Sequence, residues 1–558
     1  MLMKGADEPV KDEFERGAND VYFEDYAHEL AFLPDLTIPT STTLDYEGPN
    51  VKNPSLDPIA QLRLVETLRK HEHIMISRGN ALPPPAYGVV CDIDVKGHSP
   101  IKQRARRIPL KYLRKLYELL KGLLEAGLIA FSSSPWASPI VIVLKKNGQD
   151  IRLCIDYKMV NAITLIVEYA MPLVDDLLTE MESYLWFCSL DAVSGFWAIM
   201  MTMRARRVSA FVCALGHFEW LRMPFGLKTA PMIYQRMIDN VLWGYVQPKG
   251  GWEAFADRMR AAEAKAQAMR KEFVIRSATS TSVGRKDLRT KYEADHQTLA
   301  DTDPLMELIN SPDADMFSTG ESDQSKLVPV FHRRSFVDDI CFGGKSFDEC
   351  LETLDRLLSR FAECRISVSF TKSIFVQPKV GFLSHAITNE GIQADTKKLA
   401  AIAELMFPSS KKGMQSFLGA LNYYGRFIQG LAAYGVVLYQ IKEADFEPGG
   451  DLSVARRAFE ALRQKVADAP ILRHFDGNKD VHIMLYANEW ALSSTLMQMH
   501  DDLLHPLLKV NYTLLSGKTL HVNTRFSTLE WVFQFKCLFG RAVQFSVLLS
   551  QWDLKVKR

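Results

Sequence analysis

The stretch that decides the fold of this chain is "SFVDDICFGG", residues 335–344, where two adjacent carboxylates lie among β-forming residues and precede a glycine pair. The β-formers on both sides of Asp338-Asp339 predict a β-hairpin with the carboxylates at or near its tip. Adjacent negative charges repel each other, and hard divalent cations, most often Mg²⁺, usually neutralise them. The stretch therefore predicts a candidate metal site on a hairpin.

Asp-Asp pairs also occur twice elsewhere, so the surroundings must decide which pair forms a site. Asp175-Asp176 in "PLVDDLLTE" lies on the polar flank of an amphipathic helical pattern, and Asp501-Asp502 in "MHDDLLH" has no solitary strand carboxylate to partner it. Asp191 is different, because it interrupts the apolar strand "YLWFCSLDAVSGFWAIMM", where an unpartnered carboxylate is costly to bury. Together with the opening pair, it would supply the carboxylates of two-metal phosphoryl or nucleotidyl transfer. The pattern alone favours a structural role over a metal site.

Composition restricts the class of protein more than its partners. A hydrophobic content of 47% with 24% charged residues is ordinary for a globular chain with several cores. The net charge of +1 argues neither for nor against nucleic acid, since only a local basic surface is needed. Eight cysteines without zinc spacing predict buried reduced thiols. No apolar run reaches the length of a membrane span, so we expect an intracellular protein without a membrane partner, in a cytoplasmic particle or the nucleus.

Several segments differ in character along the chain. Residues 1–84 are acidic and predict a mostly extended lead-in, broken by one helical piece, "IAQLRLVETLRKHEH". Residues 101–130 begin with a dense basic cluster and continue as an amphipathic helix. That cluster is either a solvated helix start or a phosphate-contacting face. "SPIVIVLKKNGQDIRLCIDY" predicts a hairpin with its turn at Asn147-Gly148. Residues 248–328 are polar and predict an insertion, part solvated helix and part mobile loop.

Motifs distributed along the chain resemble those of the reverse transcriptases of gypsy-class LTR retrotransposons. The resemblance runs from about residue 85 to about 540, excluding the insertion, and rests on six motifs in the family's order: "SSSPWASPIVIVLKKNGQDIRLCIDYKMVNAIT", "CSLDAVSGFWAIMM", "RMPFGLKTAPMIYQRMID", "FVDDI", "VGFLSHAITNEGI" and "SFLGALNYYGRFI". It implies an α+β fold, a right-hand polymerase with fingers, palm and thumb followed by a partial α/β RNase H-like domain. The implied divisions are 85–247 for the fingers and first part of the palm, 329–395 for the rest of the palm with a primer-holding hairpin, 396–475 for thumb and connection helices, and 476–558 for a degenerate, truncated RNase H-like domain.

The resemblance also implies roles for individual residues. Asp191, Asp338 and Asp339 would be the catalytic, metal-binding triad for two Mg²⁺ ions, or Mn²⁺ in their place, and the Ala192 carbonyl would complete the coordination. Phe196 would screen the sugar 2′ position and exclude ribonucleotides. The remaining implied nucleotide-binding residues are Lys145 or Lys146, Arg152, Phe225, Gly226 and Lys228, and the implied primer-binding residues are Phe382, Leu383, Ser384 and His385.

Other positions match the family without a settled role. Asp156 and Asn161 match motif positions whose role is open between catalysis support and structure. Lys372 resembles a lysine near the incoming phosphates, and a solvated lysine is the equal alternative.

Departures from the family pattern are as informative as the matches. The insertion at 248–328 separates the palm helix from the Asp-Asp hairpin, and it either loops out of the fold or disturbs the site. In the C-terminal segment, Tyr486 and Arg525 stand where the family carries catalytic aspartates. Glu489 and Glu530 survive nearby, but the segment between them lacks the helix that bears the family's catalytic glutamate. We therefore predict that the RNase H activity is lost.

The sequence thus predicts an RNA-directed DNA polymerase that extends a DNA primer on an RNA or DNA template with Mg²⁺ and deoxynucleoside triphosphates. The alternative is a decayed element product that binds nucleic acid through its basic segment and no longer polymerises. The intact carboxylates favour the first hypothesis, and the insertion and altered C-terminal segment favour the second. No sequence feature indicates an oligomeric state.

Overall fold

The structure is a computed structural model, and it describes most of the chain between residues 44 and 524. The described ranges are 30–32, 44–77, 83–144, 151–166, 169–178, 181, 184–192, 195–243, 251–279, 303–311, 314, 329–330, 335–428, 431–447, 450–487, 492–507, 515, 518–524 and 553–557.

Helices and strands alternate throughout these ranges. The α-helices are α1 Pro58–Lys70, α2 Leu110–Glu125, α3 Lys158–Ile163, α4 Val174–Leu177, α5 Met203–Val208, α6 Ala230–Trp243, α7 Gly251–Thr279, α8 Pro304–Asn310, α9 Phe347–Cys364, α10 Thr396–Ala403, α11 Lys411–Tyr423, α12 Leu431–Tyr439 and α13 Ser453–Ala467. The strands are β1 Leu30–Phe32, β2 Met75–Ile76, β3 Val90–Cys91, β4 Ile129–Phe131, β5 Ser138–Leu144, β6 Ile151–Asp156, β7 Trp186–Asp191, β8 Met200–Met201, β9 Phe211–Cys213, β10 Gly216–Trp220, β11 Ser335–Phe336, β12 Asp339–Gly344, β13 Val368–Ser369, β14 Ile374–Gln377, β15 Lys379–Phe382, β16 His385–Thr388, β17 Gly391–Ala394, β18 Leu472–Arg473, β19 Val481–Ala487, β20 Leu492–His500, β21 Leu503–Pro506, β22 Thr519–Asn523 and β23 Asp553–Lys557.

A four-stranded sheet in the order β11-β12-β7-β14, here called the central sheet, carries the opening stretch. Strand β12 pairs with β7 in antiparallel register along its whole length, with Ile340 opposite Leu190. Side chains alternate between two faces. Leu190 and Ile340 enter one hydrophobic core, whereas Phe187 and Cys341 enter a second. Because both faces are covered, the strand register is strongly specified.

Two further sheets flank the central sheet along the chain. A six-stranded sheet in the order β1-β6-β5-β9-β10-β4 contains the predicted hairpin, whose strands pair antiparallel from Ile140 opposite Ile155 to Leu144 opposite Ile151. A four-stranded sheet in the order β15-β16-β17-β18 contains the second predicted hairpin, Lys379–Thr388. Both hairpin predictions are confirmed, although the Asn147-Gly148 turn itself lies outside the described residues.

The C-terminal sheet has the order β21-β20-β19-β22-β23 and mixes antiparallel with parallel pairs. Strand β19 runs antiparallel to β20 and parallel to β22, which itself runs parallel to β23. Its hydrophobic core is small in the described part of the chain, with Val481, Leu515 and Leu520 buried. The segment predicted as a partial α/β domain, residues 476–558, therefore contains a five-stranded sheet.

The amino-terminal segment differs from the expected extended lead-in. Residues 44–77 are folded: Asp57 caps helix α1 through hydrogen bonds from the Ile59 and Ala60 amides, and Leu64 and Leu68 of this helix are fully buried. The Asn53 side-chain amide donates to the Val376 carbonyl at 2.7 Å. The predicted helical piece is confirmed as α1, but the extended lead-in was wrong for these residues, because the apolar face of α1 packs into the core.

The predicted insertion also differs from a solvated helix. The helix is present as α7, but Phe255, Ala256 and Met259 are buried in the same core as the central sheet. Both Glu263 carboxylate oxygens of this helix lie 2.7 Å from one Arg365 guanidinium nitrogen. One face of the insertion is thus part of the fold, and residues 280–302 and 315–328, where the mobile loop was predicted, lie outside the described residues.

Other predictions concern smaller features. The helix predicted around Asp175-Asp176 is present but short, since α4 spans only Val174–Leu177. The seven cysteines within the described ranges are buried thiols, as predicted. None of the helices described here is long and apolar enough to span a bilayer.

Candidate active site

The opening stretch forms a two-residue hairpin whose turn consists of Val337 and Asp338. Phe336 pairs with Asp339 across it, so the predicted hairpin and the place of its carboxylates are confirmed. Val337 has φ +54, a conformation that β-branched residues rarely adopt and that costs on the order of 1–3 kcal/mol. A two-residue hairpin of this kind ordinarily has glycine there. Such strain next to a carboxylate pair is typical of a functional site.

The structure brings the three predicted carboxylates to one end of the central sheet. Asp339 lies directly opposite Asp191 in the β12–β7 register. The Ala192 amide donates to the Asp338 carbonyl at 3.0 Å, and the Asp191 amide donates to the Ser373 hydroxyl at 3.1 Å. These backbone bonds fix the turn against the end of β7, where the Ala192 carbonyl was predicted to act.

Raised carboxyl pKa values, caused first by burial, mark the same three residues. Burial, together with the negative charges of Asp338 and Asp191, raises the pKa of Asp339 to about 6. Burial likewise raises the pKa of Asp191 and of Asp338 above the ordinary value. Like charges directly opposite each other in a sheet are destabilising. The protein therefore holds three carboxylates where their ionised forms are disfavoured unless a cation compensates them.

Lys372 supplies a nearby positive charge. Its ammonium nitrogen lies 3.3 and 3.4 Å from the two Asp191 carboxylate oxygens, and its own side chain is largely exposed. The lysine lowers the Asp191 pKa, yet burial outweighs it. Lys372 is therefore paired with the site rather than simply solvated.

The donor chemistry fits a hard divalent cation, because such ions take carboxylate oxygens and tolerate several negative ligands. The raised pKa values show that these carboxylates lack sufficient positive charge around them. In the described part of the chain, however, no three His, Cys, Asp or Glu side chains converge closely enough to hold an ion. The triad thus has the composition and placement for metal ions, while its side chains stand apart from a common coordination point.

A cluster of aromatic rings adjoins the carboxylates. Phe196 lies in the 3₁₀ turn Gly195–Ala198, and its ring is 4.7 Å from Phe225 and 5.5 Å from Tyr234 between centroids. A Cβ atom at Gly195 would lie 2.4 Å from the Tyr234 ring, so glycine is needed for this close approach. Phe196 is 7% exposed. The structure therefore places it beside Phe225 on a rigid aromatic support.

Asn161 orders the loop that contains the other predicted nucleotide-binding residues. Its side-chain amide donates to the Gly226 carbonyl at 2.9 Å, and its oxygen accepts from the Lys228 amide at 2.9 Å. Gly226 has φ +84, which favours glycine. Lys228 is exposed. Asn161 thus has a structural role in shaping this loop.

The cations predicted to grip a triphosphate are only partly described. Arg152 lies on β6 opposite Val143, but its side chain is outside the described residues, as are Lys145 and Lys146. In the nearby basic cluster, Arg106 pairs with Asp156 at 2.7 Å, while Lys102, Arg104 and Arg107 are exposed. Asp156 therefore has a structural role, and part of the basic cluster remains accessible to a phosphate chain.

The predicted primer-holding hairpin has a half-buried turn and two buried flanking residues. Leu383 and Ser384 form its turn, with φ +45 and +60, whereas Phe382 and His385 are 3% and 1% exposed. The His385 ring lies against the aromatic rings of Tyr423, Tyr424 and Phe427. Only the Leu383-Ser384 turn can therefore contact a ligand, and the buried Phe382 and His385 pack beneath this turn.

Several residues that the sequence did not single out belong to the site. Gln235 and Asp239 on α6 contact the carboxylate hairpin, and Tyr423 and Lys398 hold the second hairpin. Tyr423 donates to the Leu383 carbonyl at 2.7 Å, and the Lys398 ammonium donates to the Ser384 hydroxyl at 2.6 Å. No sequence signal identifies these residues, because their partners are distant in sequence.

The C-terminal sheet carries none of these arrangements in its described residues. Tyr486 lies on β19 opposite Ser493, and Arg525, Glu489 and Glu530 lie outside the described residues. Across β19 and β22, His482 and His521 stack with ring centroids 5.0 Å apart. Of the four C-terminal positions that the sequence prediction concerned, only Tyr486 on β19 therefore lies within the described residues.

Comparison with known proteins identifies part of this chain. Residues 144–259 match the protein family described as "Reverse transcriptase (RNA-dependent DNA polymerase)". The "Retrovirus-related Pol polyprotein from transposon opus" of Drosophila melanogaster is 26% identical over 439 residues, which cover 75% of this chain and 35% of that polyprotein. The "Transposon Tf2-3 polyprotein" of Schizosaccharomyces pombe is 22% identical over 424 residues, 75% of this chain and 25% of that protein. The chain spans about a third or less of the length of these relatives.

Solved structures show the same fold. The foamy viral protease-reverse transcriptase in complex with dsDNA superposes with a TM-score of 0.61 at 16% identity, covering 94% of this chain and 98% of that one. The same viral protein in complex with an RNA/DNA hybrid gives a TM-score of 0.57 at 17% identity, covering 94% of this chain and 63% of that one. The predicted polymerase fold is confirmed. Residues 144–259 thus match the reverse transcriptase family, and the chain is similar to retrotransposon Pol polyproteins over three quarters of its length.

Proposed function

We propose that this chain is an RNA-directed DNA polymerase that extends a DNA primer by two-metal nucleotidyl transfer. The observation that carries the proposal is the register of β7 and β12. The family match ends at residue 259, yet the hairpin beyond the insertion returns Asp339 to the position opposite Asp191, with Asp338 in the adjoining turn. An insertion that had destroyed the site would not leave this pairing intact.

In the proposed mechanism, Asp191, Asp338 and Asp339 hold two Mg²⁺ ions, or Mn²⁺ in their place. Bound metals would lower the barrier by activating the primer hydroxyl and by stabilising the leaving phosphates. The carboxylates would hold the ions near the primer end, and the strained Val337-Asp338 turn would limit the movement of Asp338 and Asp339. Lys372, which pairs with Asp191, can turn toward a triphosphate because most of its side chain is exposed.

We propose that the remaining predicted residues select and orient the substrates. Phe196 would exclude a ribose 2′-hydroxyl because Phe225 and Tyr234 prevent its ring from moving away. Lys145 or Lys146, Arg152 and Lys228 would bind the triphosphate. The Leu383-Ser384 turn would support the primer end. The proposed ligands are an RNA template, a primer/template duplex and deoxynucleoside triphosphates, and the titles of the structural neighbours, which name an RNA/DNA hybrid and dsDNA, support this choice.

We also propose that the chain derives from a gypsy-class element and lacks RNase H activity. Tyr486 on β19 offers no acidic ligand where the resemblance expects an aspartate. A tyrosine hydroxyl is a poor ligand for Mg²⁺ at neutral pH because its pKa is near 10. The sheet would then persist as a fold without its metal chemistry.

The second candidate is a protein that binds nucleic acid without polymerising. It is favoured by one observation, that the three carboxylates do not converge around a cation position. Binding would then rest on exposed basic residues such as Lys102, Arg104 and Arg107, and it would weaken steeply with salt. This candidate predicts a duplex complex but no product.

Primer extension tests the proposal directly. Purified protein with an RNA template, a DNA primer, Mg²⁺ and deoxynucleoside triphosphates should yield extended primer, and Asp338→Asn should abolish extension while leaving duplex binding unchanged. The matched control is Asp502→Asn, because Asp501-Asp502 also forms a two-residue hairpin turn, with φ +48 and +63, far from the proposed site. Equal activity of wild type and Asp338→Asn would refute the proposal. Salt-sensitive binding without extension by the wild type would establish the second candidate.

A further inference from the structure

We propose that Gln235, on helix α6, is a positioning residue that holds the Val337-Asp338 turn in the shape that presents its carboxylates. This inference rests on the proposed function for its catalytic consequence, but not for the structural contact itself. Gln235 touches none of the three carboxylates that the mechanism uses. It acts on the backbone that carries two of them.

The amide oxygen and the amide nitrogen of Gln235 both form hydrogen bonds to the hairpin. Its oxygen accepts from the Val337 amide at 2.6 Å. Its nitrogen lies 3.0 Å from the Ser335 hydroxyl and 3.2 Å from the Ser335 carbonyl. Gln235 and Ser335 are both 0% exposed. The glutamine therefore bridges the strand before the turn and the first residue of the turn, with no exposure to solvent at either end.

Asp239, one helical turn further along α6, anchors the glutamine. It accepts from the Gln235 nitrogen at 2.8 Å and from the Ser335 hydroxyl at 3.2 Å. The Tyr169 hydroxyl donates to its other oxygen at 2.6 Å. The bond to Asp239 fixes the orientation of the Gln235 amide, since it directs the nitrogen toward Asp239 and Ser335 and leaves the oxygen facing the Val337 amide. Helix α6 thus presents a preset acceptor to the Val337 amide.

The turn needs this restraint because Val337 is a β-branched residue in a backbone conformation that such residues disfavour. Val337 has φ +54, where a β-branched side chain is disfavoured and glycine would be neutral. The bond from its amide to Gln235 is made in this conformation. The carbonyl of the next residue, Asp338, accepts from the Ala192 amide, so the turn is bonded on both sides. Without Gln235, the backbone can relax at Val337 and carry the neighbouring carboxylates away from Asp191.

The test compares Gln235→Met with Gln498→Met. Methionine matches glutamine in length and removes both hydrogen-bonding ends. Gln498 is an equally buried glutamine, which accepts from the Asp476 amide at 2.9 Å and donates to the Asp476 carbonyl at 2.8 Å in the C-terminal sheet. It controls for the loss of a buried amide as such.

Two measurements do not need polymerase activity. Hydrogen exchange of the peptide covering residues 335–340 should accelerate at least tenfold in Gln235→Met and stay unchanged in Gln498→Met. Mn²⁺ binding followed by electron paramagnetic resonance should weaken at least tenfold in Gln235→Met only. Unchanged exchange and unchanged Mn²⁺ affinity in folded Gln235→Met would overturn the inference, whether or not the protein polymerises.

A third measurement addresses catalysis. In primer extension, kcat should fall at least 30-fold for Gln235→Met with little change in the Kd for the duplex. Adding Val337→Gly should recover at least fivefold of that loss, because glycine adopts the turn conformation without the restraint. A merely structural glutamine would lower the stability and the activity of both Met variants alike, with no recovery. Inactive wild-type protein with the exchange and Mn²⁺ differences intact would refute the polymerase proposal and leave the positioning role standing.

Discussion

The central sheet and the C-terminal sheet both have regular strand pairing, but they differ in the side chains at their paired positions. In the central sheet, Asp339 lies opposite Asp191 and both faces of the strands enter large hydrophobic cores. In the C-terminal sheet, the equivalent cross-strand pairs are His482 with His521 and Tyr486 with Ser493, over a small described core. Backbone pairing is regular in both.

The difference shows that a sheet can keep its strand order while its chemistry is determined by a few side chains. Burying opposed carboxylates destabilises a strand pair, and the central sheet compensates this with packing on both faces and with Lys372 beside Asp191. The buried, opposed carboxylates of the central sheet are the physical basis for proposing polymerase chemistry there.

The largest expected effect comes from making the central sheet resemble the C-terminal sheet. Asp191→Asn should preserve the fold and reduce primer extension roughly 10³-fold, because the amide cannot replace a charged metal ligand. Asp480→Asn is the control in the C-terminal sheet, where Asp480 lies 3.3 Å from His521, and it should leave extension within twofold of wild type. Extension would be measured in single-turnover reactions. Comparable rates for both variants would break the distinction between the sheets.

The inserted helix α7 should stabilise the central region only. Glu263→Gln should lower the free energy of unfolding of that region by about 2 kcal/mol, because it breaks the mostly buried pair with Arg365 and removes a negative charge near Arg222. Asp257→Asn, which breaks an exposed pair with Arg260 on the same helix, should cost only a few tenths of a kcal/mol. Hydrogen exchange would show the loss in residues 339–364 and not in 481–500. An effect spread equally over both sheets would show that α7 does not act locally.

Metal affinity should depend on pH because a proton competes with the metal for Asp339. The raised pKa of about 6 means that the carboxyl is still protonated below that value in the metal-free protein. Mg²⁺ or Mn²⁺ affinity should therefore be constant above pH 7 and fall about tenfold per unit below pH 6. Isothermal titration between pH 5 and 8 would measure it, with Asp339→Asn as the variant that loses this dependence. A flat profile in the wild type would indicate that the carboxylates are not mutually strained.

The smallest expected effect is a gain in stability without metal. A raised carboxyl pKa favours the protonated folded state, so stability is lost as pH rises from the ordinary value near 4 and the loss is complete above about 6. At pH 8 in the presence of a chelator, the free energy of unfolding of Asp339→Asn should therefore be about 1 kcal/mol higher than that of wild type, after a reduction for partial solvent screening. At pH 5 the difference should shrink. Urea denaturation would measure both, and a variant less stable than wild type at pH 8 would contradict the electrostatic account.

Sequence reasoning found the parts of the site that depend on local pattern. Asp338-Asp339 was identified by the β-formers around it, and Asp191 by its isolation in an apolar strand. The resemblance grouped Asp191 with Asp338 and Asp339, and only the structure gives the register that places Asp339 opposite Asp191. Two hairpins followed from turn residues between β-forming runs.

The parts that were missed depend on contacts distant in sequence. Gln235 bonds to Val337 across the insertion, and nothing in "APMIYQRMID" distinguishes a buried polar residue from an exposed one. The buried face of α7 consists of small residues and methionine between charges, so its apolar stripe is weak beside its polar composition. The helix within residues 44–77 was predicted, but the packing of this segment on the core was missed, because contacts such as Asn53 with Val376 are distant in sequence.

The most direct test of this account uses one preparation in two assays, primer extension and cleavage of an RNA–DNA hybrid. We predict steady extension that Asp338→Asn abolishes, together with no hybrid cleavage above that of a protein-free control. Hybrid cleavage that persists in Asp338→Asn, or the absence of extension by wild-type protein that binds Mn²⁺ and the duplex, would contradict the claim that the central sheet alone retains catalytic chemistry.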